Sequence, residues 1–244
     1  MKKTAPGRQA AKEQGSPRMF SSLASRYDLI NGFLSFGLDR LWRRTTAREL
    51  PLPPACRILD ICTGTAAMAL AFARRQPKAL ITAVDLSPEM LAIAARKIAA
   101  KHLEKNILLA EGDALNLPFA DNSFDISVMG FGLRNLADAR QSILEMKRVT
   151  KTSGHILVLE FSPVPGAMGP LRFYLRKILP AAGALLSGQK GPYEYLASSI
   201  ENFLTPEEMR GLLKESGFEN VVTKPLTGRV ACLSCGRKTS HASC

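Results

Sequence analysis

Leu59–Leu70 reads LDICTGTAAMAL. The apolar run CRILDI enters Thr63-Gly64-Thr65 and passes straight into AAMALAFARRQ, whose apolar residues recur at helical spacing. A strand, a tight glycine-containing turn and a helix in that order open a doubly wound sheet, in which ligands bind beyond the carboxyl ends of the strands. The alternation continues with ALITAVDL and PEMLAIAARKIAAKH, NILLAEGDAL, FDISVMGFG and ADARQSILEMKRV, and HILVLEF. Nearly continuous apolar strands separated by such helices predict a parallel sheet covered on both faces.

Both ends of the chain change style. Residues 1–18 are polar and basic without periodicity, and predict a flexible tail. The stretch FSSLASRYDLINGFLSFGLDRLWRRTTARELPLPP predicts two short amphipathic helices, with Leu23, Tyr27 and Ile30 on one face and Leu38, Leu41 and Trp42 on another. At the other end Thr205-Pro-Glu-Glu suits a helix start, and FENVVTKPL and GRVACLSCGRK follow as an antiparallel strand pair. We therefore expect one domain over 19–244, with a helical lid at 19–50 and an insertion at 162–200 between the fifth strand and the last helix.

Composition narrows the classes. A chain of 244 residues, 46% hydrophobic, can bury one sizeable α/β core. No window approaches the roughly 20 apolar residues that span a bilayer, and the basic N-terminal stretch has no apolar signal region, so a cytoplasmic protein is expected. The five cysteines are unevenly placed and predict no disulfide framework. Cys232-Leu-Ser-Cys235 lacks the second ligand pair of a zinc site and falls in a strand, not at a helix start, so no metal is expected. A net charge of +12 favours anionic partners without specifying which.

Acidic residues close three successive strands: Asp60 before Gly64, Asp85 21 residues after that glycine, and Asp113 in Gly-Asp-Ala. A carboxylate at the place of Asp85 can accept hydrogen bonds from both ribose hydroxyls. Asp113 suits an adenine amino group. The dinucleotide pattern GxGxxG is absent, so no pyrophosphate is catered for. A nucleoside cofactor without a diphosphate is indicated, and S-adenosylmethionine fits best.

The blocks LDICTGT, AVDLSPEML, GDALNLPFADNSFD, FGLRNLAD, LVLEFS and YEYLASSIENF, preceded by SRYDLINGFLSFGLDRLWR, together resemble the menaquinone and ubiquinone C-methyltransferases from about Phe20 to Lys238. The resemblance implies a class I methyltransferase sheet of seven strands, six parallel and one antiparallel, with helices on both faces. It extends the expected cofactor set to Thr63, Thr65, Leu86, Ala114 and Gly130. It also implies a reduced prenylated quinone ring as substrate, demethylmenaquinol ahead of a ubiquinone precursor. One departure stands out: where the family's loop ends Gly-Thr-Gly-Asp, this one ends Gly64-Thr65-Ala66-Ala67. If Ala66 takes a positive φ, its Cβ costs about 1 kcal/mol; in a helical first turn it is favourable instead.

Methylating a quinol carbon needs a proton path, a donor for the developing oxyanion and a water-poor pocket. Arg134 and Asn135 follow the fourth strand at the reacting edge, Arg134 to polarise a quinol oxygen and Asn135 to orient it. Their structural alternatives are an ion pair and a helix cap. Tyr27 and Asp28 are expected over the pocket in the lid, with helix packing and capping as the alternative. His102, His155 and His241 are badly placed, so Asp28 or Glu160, through a water, are the candidate proton acceptors.

Leu171–Leu179, with Arg172, Arg176 and Lys177, forms a basic apolar segment suited to an anionic membrane surface, against the alternative of a core-covering helix. Tyr193, Tyr195 and Ile200 are candidates to line an isoprenoid tunnel. A peripheral place on the inner face of the cytoplasmic membrane follows from that reading, and a homodimer stays open. A nucleic-acid methyltransferase is disfavoured because GFGLRN stands where its Asn/Asp-Pro-Pro-Tyr motif would be, and nucleic acid is not expected as a partner. A non-catalytic descendant with a degraded cofactor loop is the rival of another class.

Overall fold

The computed structural model describes residues 35–163, 177–178, 181 and 191–239, without the side chains of 192–194. The elements are α1 (Leu38–Ala47), β1 (Arg57–Ile61), α2 (Ala67–Arg75), β2 (Leu80–Asp85), α3 (Pro88–Ala99), β3 (Ile107–Glu111), β4 (Phe124–Gly130), a 3-10 turn (Leu133–Asn135), α4 (Ala139–Val149), β5 (Thr150–Phe161), α5 (Gly191–Glu201), α6 (Pro206–Glu215), β6 (Phe218–Leu226) and β7 (Ala231–Lys238). They build one seven-stranded sheet in the order β3-β2-β1-β4-β5-β7-β6. Strand β7 runs antiparallel to both neighbours and the other pairings are parallel, as the resemblance implies. Chain order reverses between β1 and β4, and this switch point opens the crevice at the carboxyl ends of the strands.

Alternate strand residues feed two cores. Ile58, Ile81, Leu157 and Leu233 pack on one face with Trp42, Met68 and Phe72 from α1 and α2. Leu59, Val84, Ile156 and Val158 pack on the other with Ile143 and Met146 of α4 and Leu213 of α6. Burial on both faces is the physical reason the strands read as unbroken apolar runs. Helix starts are specified locally: Ser87 caps α3, Asp138 caps α4, and Thr205 with Glu208 forms a capping box on α6.

Two expectations are corrected. Leu41 is 53% exposed, because Leu38, Trp42 and Thr46, four residues apart, form the inward stripe of α1. Strand β5 starts at Thr150, where the threonine hydroxyl bonds Ser127 of β4 and the Met146 carbonyl, so His155 lies within the strand. The stretch read as an insertion at 162–200 contains most of α5, whose Tyr195 meets the 3-10 turn. The tail, the first lid helix and most of 162–190 lie outside the described residues, and with them Tyr27, Asp28 and Leu171–Arg176.

Candidate functional site

The cofactor loop is tied from below by two carboxylates. Asp60, 1% exposed, accepts from the Thr63 hydroxyl at 2.6 Å and the Ala69 amide at 2.9 Å, both through Oδ2. Asp85 accepts from the Gly64 amide at 2.7 Å and the Ser87 amide at 3.0 Å. Each carboxylate therefore shapes the turn and retains accepting capacity for a ligand. Burial pushes the Asp60 carboxyl up to about 6 against the opposing Thr63 hydrogen bond and Arg43 charge, and raises that of Asp85 as well.

The chain reaches its sharp turn by taking left-handed backbone at Cys62, Gly64 and Ala66, with φ of 54°, 56° and 63°. Ala66 thus takes the strained branch of the sequence expectation, as the residue before α2. Its side chain is fully buried in the core, which offsets part of that cost. Thr65 is buried too, and its hydroxyl accepts from Lys97 of α3 at 2.9 Å.

At the carboxyl ends of β2 and β3, Leu86 is exposed beside Asp85, as is Asp113, whose Oδ1 accepts from the Leu115 amide, while Ala114 is buried. Gly130 ends β4, where a Cβ would lie 2.8 Å from Met68 Cε and 3.1 Å from Arg43 Nη1, so a side chain there would have to displace the ends of those two side chains.

At the reacting edge Arg134 and Glu160 form a buried ion pair, Nη1 to Oε1 at 2.8 Å, each side chain 4% exposed. The same guanidinium donates to the Phe131 carbonyl, and Glu160 also accepts from the amides of Arg134 and Phe161. With three donors on it, Glu160 anchors Arg134. Arg134 Nε is buried and unpartnered. Asn135 donates to the Phe131 carbonyl and accepts from the Tyr195 hydroxyl at 3.3 Å, while capping of α4 falls to Asp138. His155 pairs with Arg237 five residues from Glu160 along β5, about 17 Å at the usual rise, and does not join the site.

Sequence reasoning missed the apolar wall. Trp42, Phe131 and Phe161 stack with centroids 4.7–6.0 Å apart, the Trp42 indole donates to Thr227, and Arg43 and Arg134 sit over the Phe131 and Phe161 rings at 5.0 and 5.2 Å. Helix periodicity alone gave Trp42 as core; the partners 89 and 119 residues away carried no local signal. Cys232 and Cys235 are free thiols three residues apart on β7, hence on opposite faces, and burial raises both pKa values. Among the described residues no group of His, Cys, Asp and Glu could hold a metal.

The sequence profile of the ubiE/COQ5 methyltransferase family matches residues 8–238. The chain belongs to that family. It is 45% identical to demethylmenaquinone methyltransferase of Thermus thermophilus over 89% of this chain and 99% of the relative. It is 40% identical to a ubiquinone/menaquinone biosynthesis C-methyltransferase of Syntrophotalea carbinolica, over 91% and 94%. In fold it resembles a SAM-dependent methyltransferase from Aquifex aeolicus (TM-score 0.57, 17% identity, 80% and 88% covered) and the cyclase SpnF (0.68, 19%, 92% and 95%). The second likeness shows that the scaffold alone does not dictate methyl transfer. As a family member the chain is a methyltransferase with S-adenosylmethionine as cofactor, and the unpartnered Asp60 Oδ1 together with the bare Gly130 floor fits such a ligand.

Proposed function

We propose that this methyltransferase converts a demethylmenaquinol to the corresponding menaquinol. The observation that carries this reading is the near full-length 45% match to an enzyme of that name, joined to a buried Arg134-Asn135 turn at the crevice. S-adenosylmethionine supplies an electrophilic methyl group on sulfonium. One hydroxyl proton of the quinol passes to a base, the ring carbon forms the bond to the methyl carbon as the carbon–sulfur bond breaks, and the proton on that ring carbon moves to the keto oxygen, which restores the aromatic quinol. S-adenosylhomocysteine leaves.

Arg134 stabilises the developing oxyanion: its unpartnered Nε is a buried donor, held still by Glu160. Asn135, braced by Tyr195, orients the ring. Trp42, Phe131 and Phe161 exclude water behind it. Asp28 takes the proton, directly or through a water, because Glu160 is occupied as the anchor of Arg134. The test is transfer of a labelled methyl group to chemically reduced demethylmenaquinone, with the product identified by mass. Labelled menaquinone is the expected product; transfer only to a ubiquinone precursor would select the second reading, which the 40% identical dual-named relative favours.

The prenyl tail places the substrate in a membrane, and among the described residues no helix is long and apolar enough to cross one. Phe36, 80% exposed, and Leu41 stand on the outer side of α1 beside exposed Arg40, Arg44 and Arg48. Apolar side chains ringed by arginines suit the headgroup boundary of an anionic bilayer. This face and the basic segment at 171–179, of which only Lys177 and Ile178 lie among the described residues and are exposed, are the two parts of the proposed membrane contact.

A further inference from the structure

Residues 112–123 join β3 to β4 without a helix or a strand, and carry Asp113 near their start. Such a connection is ordinarily a mobile part of a domain. Here one face of α4 holds it: Gln141, Glu145 and Arg148, spaced four and three apart, each bond the loop backbone. Gln141 Nε2 donates to the Leu115 carbonyl at 3.2 Å, and Glu145 Oε2 accepts from the Leu117 amide at 2.8 Å. Arg148 donates to the Phe119 carbonyl at 2.7 Å, the Leu117 carbonyl at 2.9 Å and the Asp121 carboxylate at 2.8 Å. Its two remaining N–H groups go to Glu145, at 2.8 and 2.7 Å. Every donor of the guanidinium is therefore used, and Glu145 is fixed in turn by the Arg148 guanidinium and the Leu117 amide.

These ties bear on the segment that follows Asp113 directly. Leu115 is bonded at both ends, its amide to Asp113 Oδ1 and its carbonyl to Gln141, so the carboxylate hangs on backbone that α4 holds. A bridge between Asp113 and Asn116 closes the turn from within. The other end of α4, capped by Asp138, follows the turn that carries Arg134 and Asn135. One helix thus fixes the acidic loop relative to the reacting edge. A loop ordered before its ligand arrives loses less freedom on binding. We propose that the Gln141-Glu145-Arg148 stripe is a splint that presets Asp113 for the adenine amino group, with Arg148 as the positioning residue. Arg148 acts through the loop, not on the ligand. The splint thereby sets how well the enzyme separates adenine from purines without that amino group. This inference rests on the cofactor reading above.

The experiment is calorimetric binding to the full chain of S-adenosylhomocysteine and of S-inosylhomocysteine, in which a carbonyl oxygen replaces the adenine amino group. The wild type is expected to prefer the adenine compound by about 10- to 100-fold, the range of a hydrogen bond to a charged group. Arg148→Met should remove most of that preference by weakening S-adenosylhomocysteine, and leave S-inosylhomocysteine near the wild-type affinity. Gln141→Ala, which keeps the Arg148–Glu145 pair, should lower the preference less. In an Asp113→Ala background neither change should alter the preference further, because both act through that carboxylate. A preference that survives in Arg148→Met overturns the proposal, as does an equal weakening of both ligands, which would mark Arg148 as a packing residue only. Should Arg148→Met fail to fold, an unchanged preference in Gln141→Ala overturns it instead. A wild type that binds both compounds equally also overturns it, whereas one that binds neither overturns the cofactor reading itself.

Discussion

Ala66 shows how small terms decide whether a variant loop is tolerated. Its φ of 63° costs about 1–2 kcal/mol, while its buried methyl returns about 0.8 and the stiffer unfolded chain a further 0.4–1. Ala66→Gly is therefore expected to change stability by less than about 0.5 kcal/mol, whereas the β-branched Ala66→Val should lose more than about 2; chemical denaturation reads both. Asp60 supplies a pH signature. Its carboxyl is held at about 6 against an ordinary 3.8, so between those values the folded protein keeps a proton that the unfolded chain releases. Stability from this group is full below about pH 4, falls as pH rises, and is lost above about 6, a change on the order of 3 kcal/mol. Asp85 acts in the same direction, and Asp125 and Glu145, whose pKa values are lowered, act oppositely at lower pH. Comparing wild type with Asp60→Asn across pH 4–8 isolates the Asp60 share: the variant should lack that decline.

The 3-10 turn between β4 and α4 is held by one ion pair whose partners come from different elements. Removing one member of a buried pair strands the other, at roughly 3–5 kcal/mol. Glu160→Gln should lower stability by about 3 kcal/mol and cut kcat at least tenfold, yet leave S-adenosylhomocysteine affinity near wild type, because the pair stands on the substrate side. Arg134→Lys keeps a charge but loses the unpartnered Nε, so kcat should fall further than stability. On α6 the capping box gives a purely structural comparison: Thr205→Ala should cost about 1 kcal/mol in denaturation and nothing in turnover.

For the molecule as a whole, the proposed membrane contact rests on charge and on two exposed apolar residues, Leu41 on α1 and Phe36 just before it. Phe36→Asp with Leu41→Asp should reduce sedimentation with phosphatidylglycerol vesicles several-fold and raise KM for a long-tailed quinol. Turnover of a short-tailed soluble quinol should stay unchanged, because both side chains are exposed. Binding to neutral vesicles at the wild-type level would assign the attraction to apolar contact alone.

The strand and helix sequence, the doubly wound class, the cap on α6 and the acidic strand ends were all legible in the residues, because each depends on local periodicity or on a side chain bonding its own backbone. All seven strands and the antiparallel pairing of the last two were also read from the residues, and the resemblance added a single sheet with six strands parallel and one antiparallel. Tertiary structure alone decided the rest. That Leu41 faces outward and Trp42 inward follows from how α1 lies on the sheet, since adjacent helical positions differ by about 100°. That Glu160 serves Arg134 follows from two strand ends meeting across 26 residues. The left-handed turn at Ala66, the aromatic wall and the approach of Arg43 to Gly130 likewise arise only when distant segments are packed, and burial then gives their charges and strain a value that sequence spacing does not encode.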